Sequence, residues 1–253
     1  MPLRINLHRR RRVPEIMDQP DLAEGPHRHA LRGLERINFW SGSAGILWPG
    51  LSDLARRAGP VALRLLDVAT GAGDVPIRLW HKARRAGIPL EIEGCDISPC
   101  AVEFARRRAE QSKAAVQFFA WDALNDPFPG GYDVVTSSLF LHHLGDDQAE
   151  CFLRRMAGLA RQLVLVNDLR RGLAGFLLAC VATRVLSSSP VVHTDGPRSV
   201  KAAFTPDEVF RLARKAGLEG ATVERRWPCR FLLTWRRHQR SEVRSQKPLT
   251  SDL

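Results

Sequence analysis

The sequence predicts an α/β protein: a doubly wound sheet of about seven strands, mostly parallel with an antiparallel last strand, plus an N-terminal helical cap. Three observations carry this. Short, nearly continuous apolar segments alternate with segments of helical spacing from residue 63 onward, the pattern of strands covered on both faces. The first of these strands runs into a glycine turn and then a helix. The chain has 253 residues, 44% of them apolar and 26% charged, which suits one large α/β domain and argues against disorder, collagen-like repeats or a disulfide-rich miniprotein.

In chain order, residues 1–20 read as a flexible basic arm and 21–58 as the helical cap. Within the cap, Ala30, Leu31, Leu34 and Ile37 fall at helical spacing between His27 and Trp40. A Gly- and Trp-containing segment, 41–50, and a short helical stretch to Ala58 follow. The main domain spans 59–235. Its strands are expected at 63–69, 90–95, 115–120, 132–137 and 162–167, with helices beginning near Val75, Pro99 and Gln148. Leu173–Leu186 reads as an apolar helix and Ser187–Ser199 as a polar loop. Thr205-Pro206-Asp207-Glu208 is a helix start, with a threonine cap, proline in the first turn and glutamate three residues on. Gly217 ends that helix. Two strands, 222–226 and 231–235, close the domain, and 236–253 is expected to be a basic disordered tail.

The net charge is +11, and it is unevenly placed. Residues 1–12 carry five arginines and no acid, residues 225–253 carry a net +6, and the body between is neutral. Basic ends on a neutral body read as solvated tails able to touch anionic lipid or RNA, not as a nucleic-acid groove. The five cysteines are odd in number and lack a C-x-x-C pair, so neither a disulfide framework nor a metal site is expected, and free thiols in a reducing cytoplasm are. No secretory signal is read at the start, and Met17 offers an alternative start that would remove the run Arg9–Arg12. The longest apolar run, Leu173–Thr183, is short of the ~20 residues that span a bilayer.

The chemistry is carried by Asp67-Val68-Ala69-Thr70-Gly71-Ala72-Gly73-Asp74. Glycine at such a turn lets a ligand approach the backbone. A dinucleotide fingerprint needs a third glycine where Pro76 stands. Asp67 and Asp74 flank the turn and would repel a pyrophosphate. S-adenosylmethionine has no phosphate, and its sulfonium and ammonium are cations, so acids around the turn suit it. Asp96 ends the second strand 23 residues past Gly73, where an acid can hold both ribose hydroxyls. Asp122 follows the third strand, placed to face an adenine edge. Any one of these aspartates reads equally as a cap or turn residue; three at successive strand ends do not.

With these segments, Cys95-Asp96-Ile97-Ser98, Trp121-Asp122-Ala123, Tyr132-Asp133-Val134-Val135 and Leu141-His142-His143-Leu144, the chain resembles a class I S-adenosylmethionine-dependent methyltransferase with a Rossmann-like fold. The flavour is closest to the ubiquinone/menaquinone-type and small-molecule branch. Ala69 stands where many members have a glycine. The resemblance implies that Asp67 and the turn residues Thr70, Gly71, Ala72 and Gly73 surround the methionine end of the cofactor. Asp96 and Ile97 would meet the ribose, Asp122 and Ala123 the adenine, and Ser138 the sulfonium. Leu139, Phe140 and His142 are expected at the acceptor pocket, and Arg198, in the polar loop at its mouth, is a candidate to hold an anionic acceptor.

No N-P-P-Y segment follows the fourth strand; Ser137-Ser138-Leu139-Phe140 stands there. Leu139–Leu141, the helix 172–186 and the segment 31–48 instead suggest a hydrophobic small acceptor. A phenol or enol acceptor needs a base, and His143 and His193 are the leading candidates, with Asp168 as a partner for a histidine. The expected activity is therefore methyl transfer to oxygen or carbon of a hydrophobic phenol, quinol or polyketide-like molecule. No specific nucleic acid is expected as partner; peripheral membrane contact is compatible with the apolar helix. The competing reading is an RNA or protein methyltransferase that captures its substrate with the basic tails.

Overall fold

The computed structural model describes residues 7–19, 23–40, 42–127 and 130–237. The apolar runs form one sheet of seven strands: β1 (Leu63–Val68), β2 (Leu90–Asp96), β3 (Val116–Ala120), β4 (Tyr132–Ser138), β5 (Ala160–Leu169), β6 (Thr222–Arg226) and β7 (Arg230–Arg236). Their order is β3-β2-β1-β4-β5-β7-β6. The first five pair in parallel, and β7 lies antiparallel between β5 and β6. The order reverses between β1 and β4, so a crevice opens beyond their carboxyl ends, where open α/β sheets take ligands.

Among the described residues, eight α-helices accompany these strands: α1 (Glu24–Trp40), α2 (Ser43–Ala58), α3 (Asp74–Arg85), α4 (Pro99–Gln111), α5 (Asp146–Leu159), α6 (Leu173–Leu186), α7 (Pro190–Ala202) and α8 (Pro206–Lys215). The two-residue period of the strands divides the core. Leu65 and Val134 face one layer, with Leu47, Leu51, Leu79 and Val102 of α2, α3 and α4. Leu66 and Val135 face the other, with Phe152, Met156, Val209 and Leu212 of α5 and α8. The helix α2, grouped with the cap from sequence, thus belongs to the sheet's own cover, while α1 lies against α6 and α7. The cap on α8 is as read: Thr205 Oγ1 accepts from the Glu208 N–H, and Glu208 Oε2 accepts from the Thr205 N–H.

Two expectations are corrected. The polar loop 187–199 is largely the helix α7. Its buried residues Val192, Asp195, Ser199 and Ala202 do keep helical spacing, but two of them are polar, so the apolar periodicity that reveals a helix is broken. The arm is also not free over its described part. Residues 7–19 form a strap across the carboxyl edge of the sheet. Arg10 donates to the carbonyl oxygens of Ala202, His142 and Leu144, at 2.5, 3.0 and 2.6 Å, and pairs with Asp146. Its guanidinium stacks 3.6 Å from the Phe204 ring centre. Arg12 donates to the His143 carbonyl, and Asp195 accepts the N–H groups of Ile16 and Met17. The arginines read as solvated charge are therefore donors to carbonyls that end the loop after β4 and helix α7. Of the expected tail, Arg236 ends β7 and pairs with Asp53; residues 238–253 lie outside the described residues.

Candidate active site

A cavity of about 1040 Å³ opens at the carboxyl ends of β1, β2 and β4. Its polar end is the turn after β1. Ala69, Gly71 and Gly73 all take positive φ, at 55°, 54° and 71°, which explains glycine at these places and makes Ala69 the one that bears strain. A Cβ on Gly73 would meet Phe118 at 2.8 Å and Ala105 at 2.9 Å, whereas one on Gly71 would meet nothing within 4 Å. Gly73 is thus demanded by packing, and Gly71 faces open space in the cavity.

Asp67 is not on the cavity wall. It is buried behind the turn, accepting from Thr136 Oγ1 at 2.6 Å and Thr70 Oγ1 at 2.8 Å. It braces the turn instead of reaching a ligand, because at this position of β1 the side chain points into the protein. Burial pushes its carboxyl up to about 7, against both hydroxyl bonds. The group is raised above its unfolded value of 3.8, so its contribution to stability is whole below that pH and lost as pH rises through 7. Relative to wild type, Asp67→Asn is expected to gain stability between pH 4 and pH 8, by up to about 4 kcal/mol at roughly 1.4 kcal/mol per pH unit. Urea denaturation across that range tests this, and a difference that does not change with pH would refute it.

Asp96 uses Oδ2 to accept the Gly71 N–H at 2.8 Å and Oδ1 to accept the Ser98 N–H. It ties the turn to the end of β2 and lines the cavity with Thr70, Ala72 and Asp74. Asp122 accepts from the Asn125 side chain and from the backbone of Leu124 and Asn125. The Asn125 bond leads in holding its carboxyl below the usual range. Asp122, Ala123 and Ile97 also lie on the wall. Asp74, Asp96 and Asp122 on one cavity wall suit a cationic ligand without phosphate, as S-adenosylmethionine is.

The other end is formed by Ser138, Leu139, Phe140, His142 and His143, by Leu178 and Ala182 of α6, by Trp227 of the β6–β7 turn, and by Glu15 and Met17 of the strap. Leu139 takes φ 60°, a costly conformation for a branched side chain. It aims the following residues into the cavity. His142 is buried, and its Nδ1 lies 2.7 Å from Asp168 Oδ1, while Asp168 Oδ2 accepts its N–H at 2.9 Å. Its Nε2 faces Glu15 Oε1 at 3.6 Å, and the Nε2 of His143 faces Glu15 Oε2 at 4.0 Å. Burial opposes charge on His142, but Asp168 and then Glu15 outweigh it and raise its pKa. Glu15 is lowered in turn: burial resists, and the two histidines prevail.

The expected partnership of Asp168 with a histidine is found, with His142. His193 and Arg198 are not brought to the cavity. His193 sits on α7 with its Nε2 2.7 Å from the Ser187 carbonyl oxygen, and Arg198 faces Asp195 at 3.6 Å and the Pro14 carbonyl. The helix that replaces the expected loop turns both away. Two charged cavity residues escaped the sequence reading. Glu15 is a lone acid after a run of arginines, without a local motif. Arg230 begins β7, fully buried, and burial lowers its pKa to about 10 against the pull of Asp168 and Asp74.

The methyltransferase domain family matches residues 65–162. Demethylmenaquinone methyltransferase of Thermus thermophilus is 39% identical over 176 residues, covering 65% of this chain and 77% of that protein. The chain belongs to the class I S-adenosylmethionine-dependent methyltransferases of the ubiquinone/menaquinone type. The ubiquinone biosynthesis O-methyltransferase of Cupriavidus pinatubonensis is 30% identical over 167 residues, 64% of this methyltransferase and 62% of the relative. Among solved structures, magnesium protoporphyrin IX methyltransferase from Synechocystis, with S-adenosylhomocysteine bound, shares the fold at a TM-score of 0.54. The alignment has 18% identity and covers 78% and 84% of the two chains. The enzyme's cofactor is S-adenosylmethionine.

Proposed function

We propose that this methyltransferase acts on an oxygen or carbon of a hydrophobic small molecule, a phenol, quinol or polyketide-like metabolite. The observation that carries the reading is the two-ended cavity: carboxylates and a glycine turn at one end, Leu139, Phe140, Leu178 and Ala182 at the other. The quinone-type relatives point the same way. Bound at the polar end, S-adenosylmethionine supplies an electrophilic methyl carbon. Thr70, Gly71, Ala72 and Gly73 would hold its methionine end, with Asp67 bracing them from behind. Asp96, with Ile97 beside it, would take the ribose, Asp122 and Ala123 the adenine, and Ser138 would lie beneath the sulfonium. The chain's main contribution is alignment of acceptor and methyl group. Of the two histidines expected as base, His143 lines the cavity and His193 does not.

The acceptor end also suggests how a lipophilic substrate arrives. The outer face of α6 presents Leu173, Leu177, Val181 and Val185 to solvent, and Trp227, 82% exposed, stands at the same mouth. No helix among the described residues is long and apolar enough to cross a membrane. An exposed apolar helix face on a chain of net charge +11 suits peripheral contact with an anionic bilayer. Val181→Asp with Val185→Asp is expected to abolish co-sedimentation with vesicles containing phosphatidylglycerol, without loss of cofactor binding. Unchanged sedimentation would remove the membrane from the reading.

The substrate class is tested by incubating the enzyme with methyl-labelled S-adenosylmethionine and either alkylphenols and quinols or total RNA. Label extracted with the phenol or quinol into organic solvent is expected. Label retained on RNA would instead support polymer capture by the basic ends and overturn the small-molecule reading.

A further inference from the structure

Two imidazoles and a carboxylate converge on the acceptor end of the cavity. Candidate ligand atoms of Glu15, His142 and His143 all lie within 4.8 Å of one another. The Nε2–carboxylate separations of 3.6 and 4.0 Å exceed a hydrogen bond. They match the span between two ligands of one ion, which at bonds of about 2.1 Å runs from about 3 to 4.2 Å. Asp168 adds the second element of such a site. It sits on Nδ1 of His142 at 2.7 Å, which fixes the tautomer and turns Nε2 toward Glu15, the arrangement that carboxylates impose on metal-binding histidines. Glu15 is delivered from the strap, which Arg10 and Arg12 clamp to the carbonyls of His142 and His143 themselves.

We propose that Glu15, His142 and His143 bind one divalent transition-metal cation. Two nitrogen ligands and one oxygen favour zinc, cobalt, nickel or iron over magnesium or calcium. Three protein ligands leave a position open to the cavity. Resting on the small-molecule reading above, that position takes the acceptor's oxygen. The O–H bond breaks, the oxygen–metal bond forms, and the proton passes to solvent. The acceptor is then held as a phenolate or enolate facing the methyl donor, and His143 serves as a ligand in place of direct proton transfer. The strap is thereby part of the active site, and a chain started at Met17 would lack one ligand.

The test uses the full chain, purified without a histidine tag, stripped with chelator and titrated with Co²⁺. One equivalent is expected to produce visible d–d absorption bands. Glu15→Gln and His143→Ala are expected to abolish them, while His81→Gln leaves them intact. Asp168→Asn should weaken Co²⁺ binding about 10- to 100-fold. Retained S-adenosylmethionine binding shows that each variant is folded. Absence of bands in the wild type, or bands indifferent to Glu15→Gln and His143→Ala, would overturn the site. The two readings fail separately. Bands without methyl transfer to any phenol or quinol would overturn the acceptor class alone, and chelator-insensitive transfer without bands would overturn the metal alone.

Discussion

Gly71→Arg is expected to abolish S-adenosylmethionine binding while the fold stands. A Cβ at Gly71 meets no atom within 4 Å, so the new side chain projects into the cavity. There its guanidinium competes with the cofactor's own cations for Asp96 and Asp74. The backbone cost is that of a non-glycine residue at φ 54°, about 1–2 kcal/mol, which a domain of ordinary stability survives. Calorimetry should show at least a 100-fold weaker affinity, which corresponds to about 2.8 kcal/mol, with an unchanged circular dichroism spectrum. Wild-type affinity in this variant would place the cofactor elsewhere. Gly73 makes a poorer test, because a Cβ there would strike Phe118 and Ala105, and lost binding would be indistinguishable from a lost turn.

Arg171→Met is expected to cost about 3 kcal/mol in urea denaturation and to release the strap. Arg171 is buried, and its guanidinium is spread over three parts of the chain. It donates to the Leu7 carbonyl at 3.0 Å, to the Ala203 carbonyl at 2.6 Å and to both carboxylate oxygens of Glu208 at 2.6 and 2.9 Å. Removing one partner of a buried pair is costly because the others lose their donor. The figure belongs at the low end of that range, since the Glu208 side chain is 28% exposed and keeps some water. Trypsin should then cleave at Arg9–Arg12 faster than in wild type. An unaltered cleavage rate would mean that Arg171 does not hold the strap.

The sheet was legible because strands buried on both faces leave continuous apolar runs, and the turns that end them carry aspartates at a regular interval. The cofactor end was legible for the same reason: Gly71, Asp96 and Asp122 each stand at or just past the carboxyl end of a strand. Asp67 shows the limit. Its position at the end of β1 is visible, but whether it faces the ligand or the interior depends on pleat direction, and it faces Thr136. At the acceptor end legibility fell. The helix α7 hides behind Asp195, Gly196 and Pro197, which read as part of a polar loop. Choosing between His143 and His193 required knowing which way two short segments point. The strap left almost no trace, because its contacts join guanidinium groups to backbone carbonyls more than 130 positions away, and backbone carbonyls have no sequence signature.

The strap also orders events during synthesis. Residues 7–19 leave the ribosome before any strand of the sheet exists. Yet their partners include Asp146, Asp195, Lys201 and Ala202. At ~5–20 residues per second, the strap waits on the order of ten seconds or more for the last of these to emerge. Glu15 therefore enters the cavity only after helix α7 has been made, and this early-made segment is among the last to take its place.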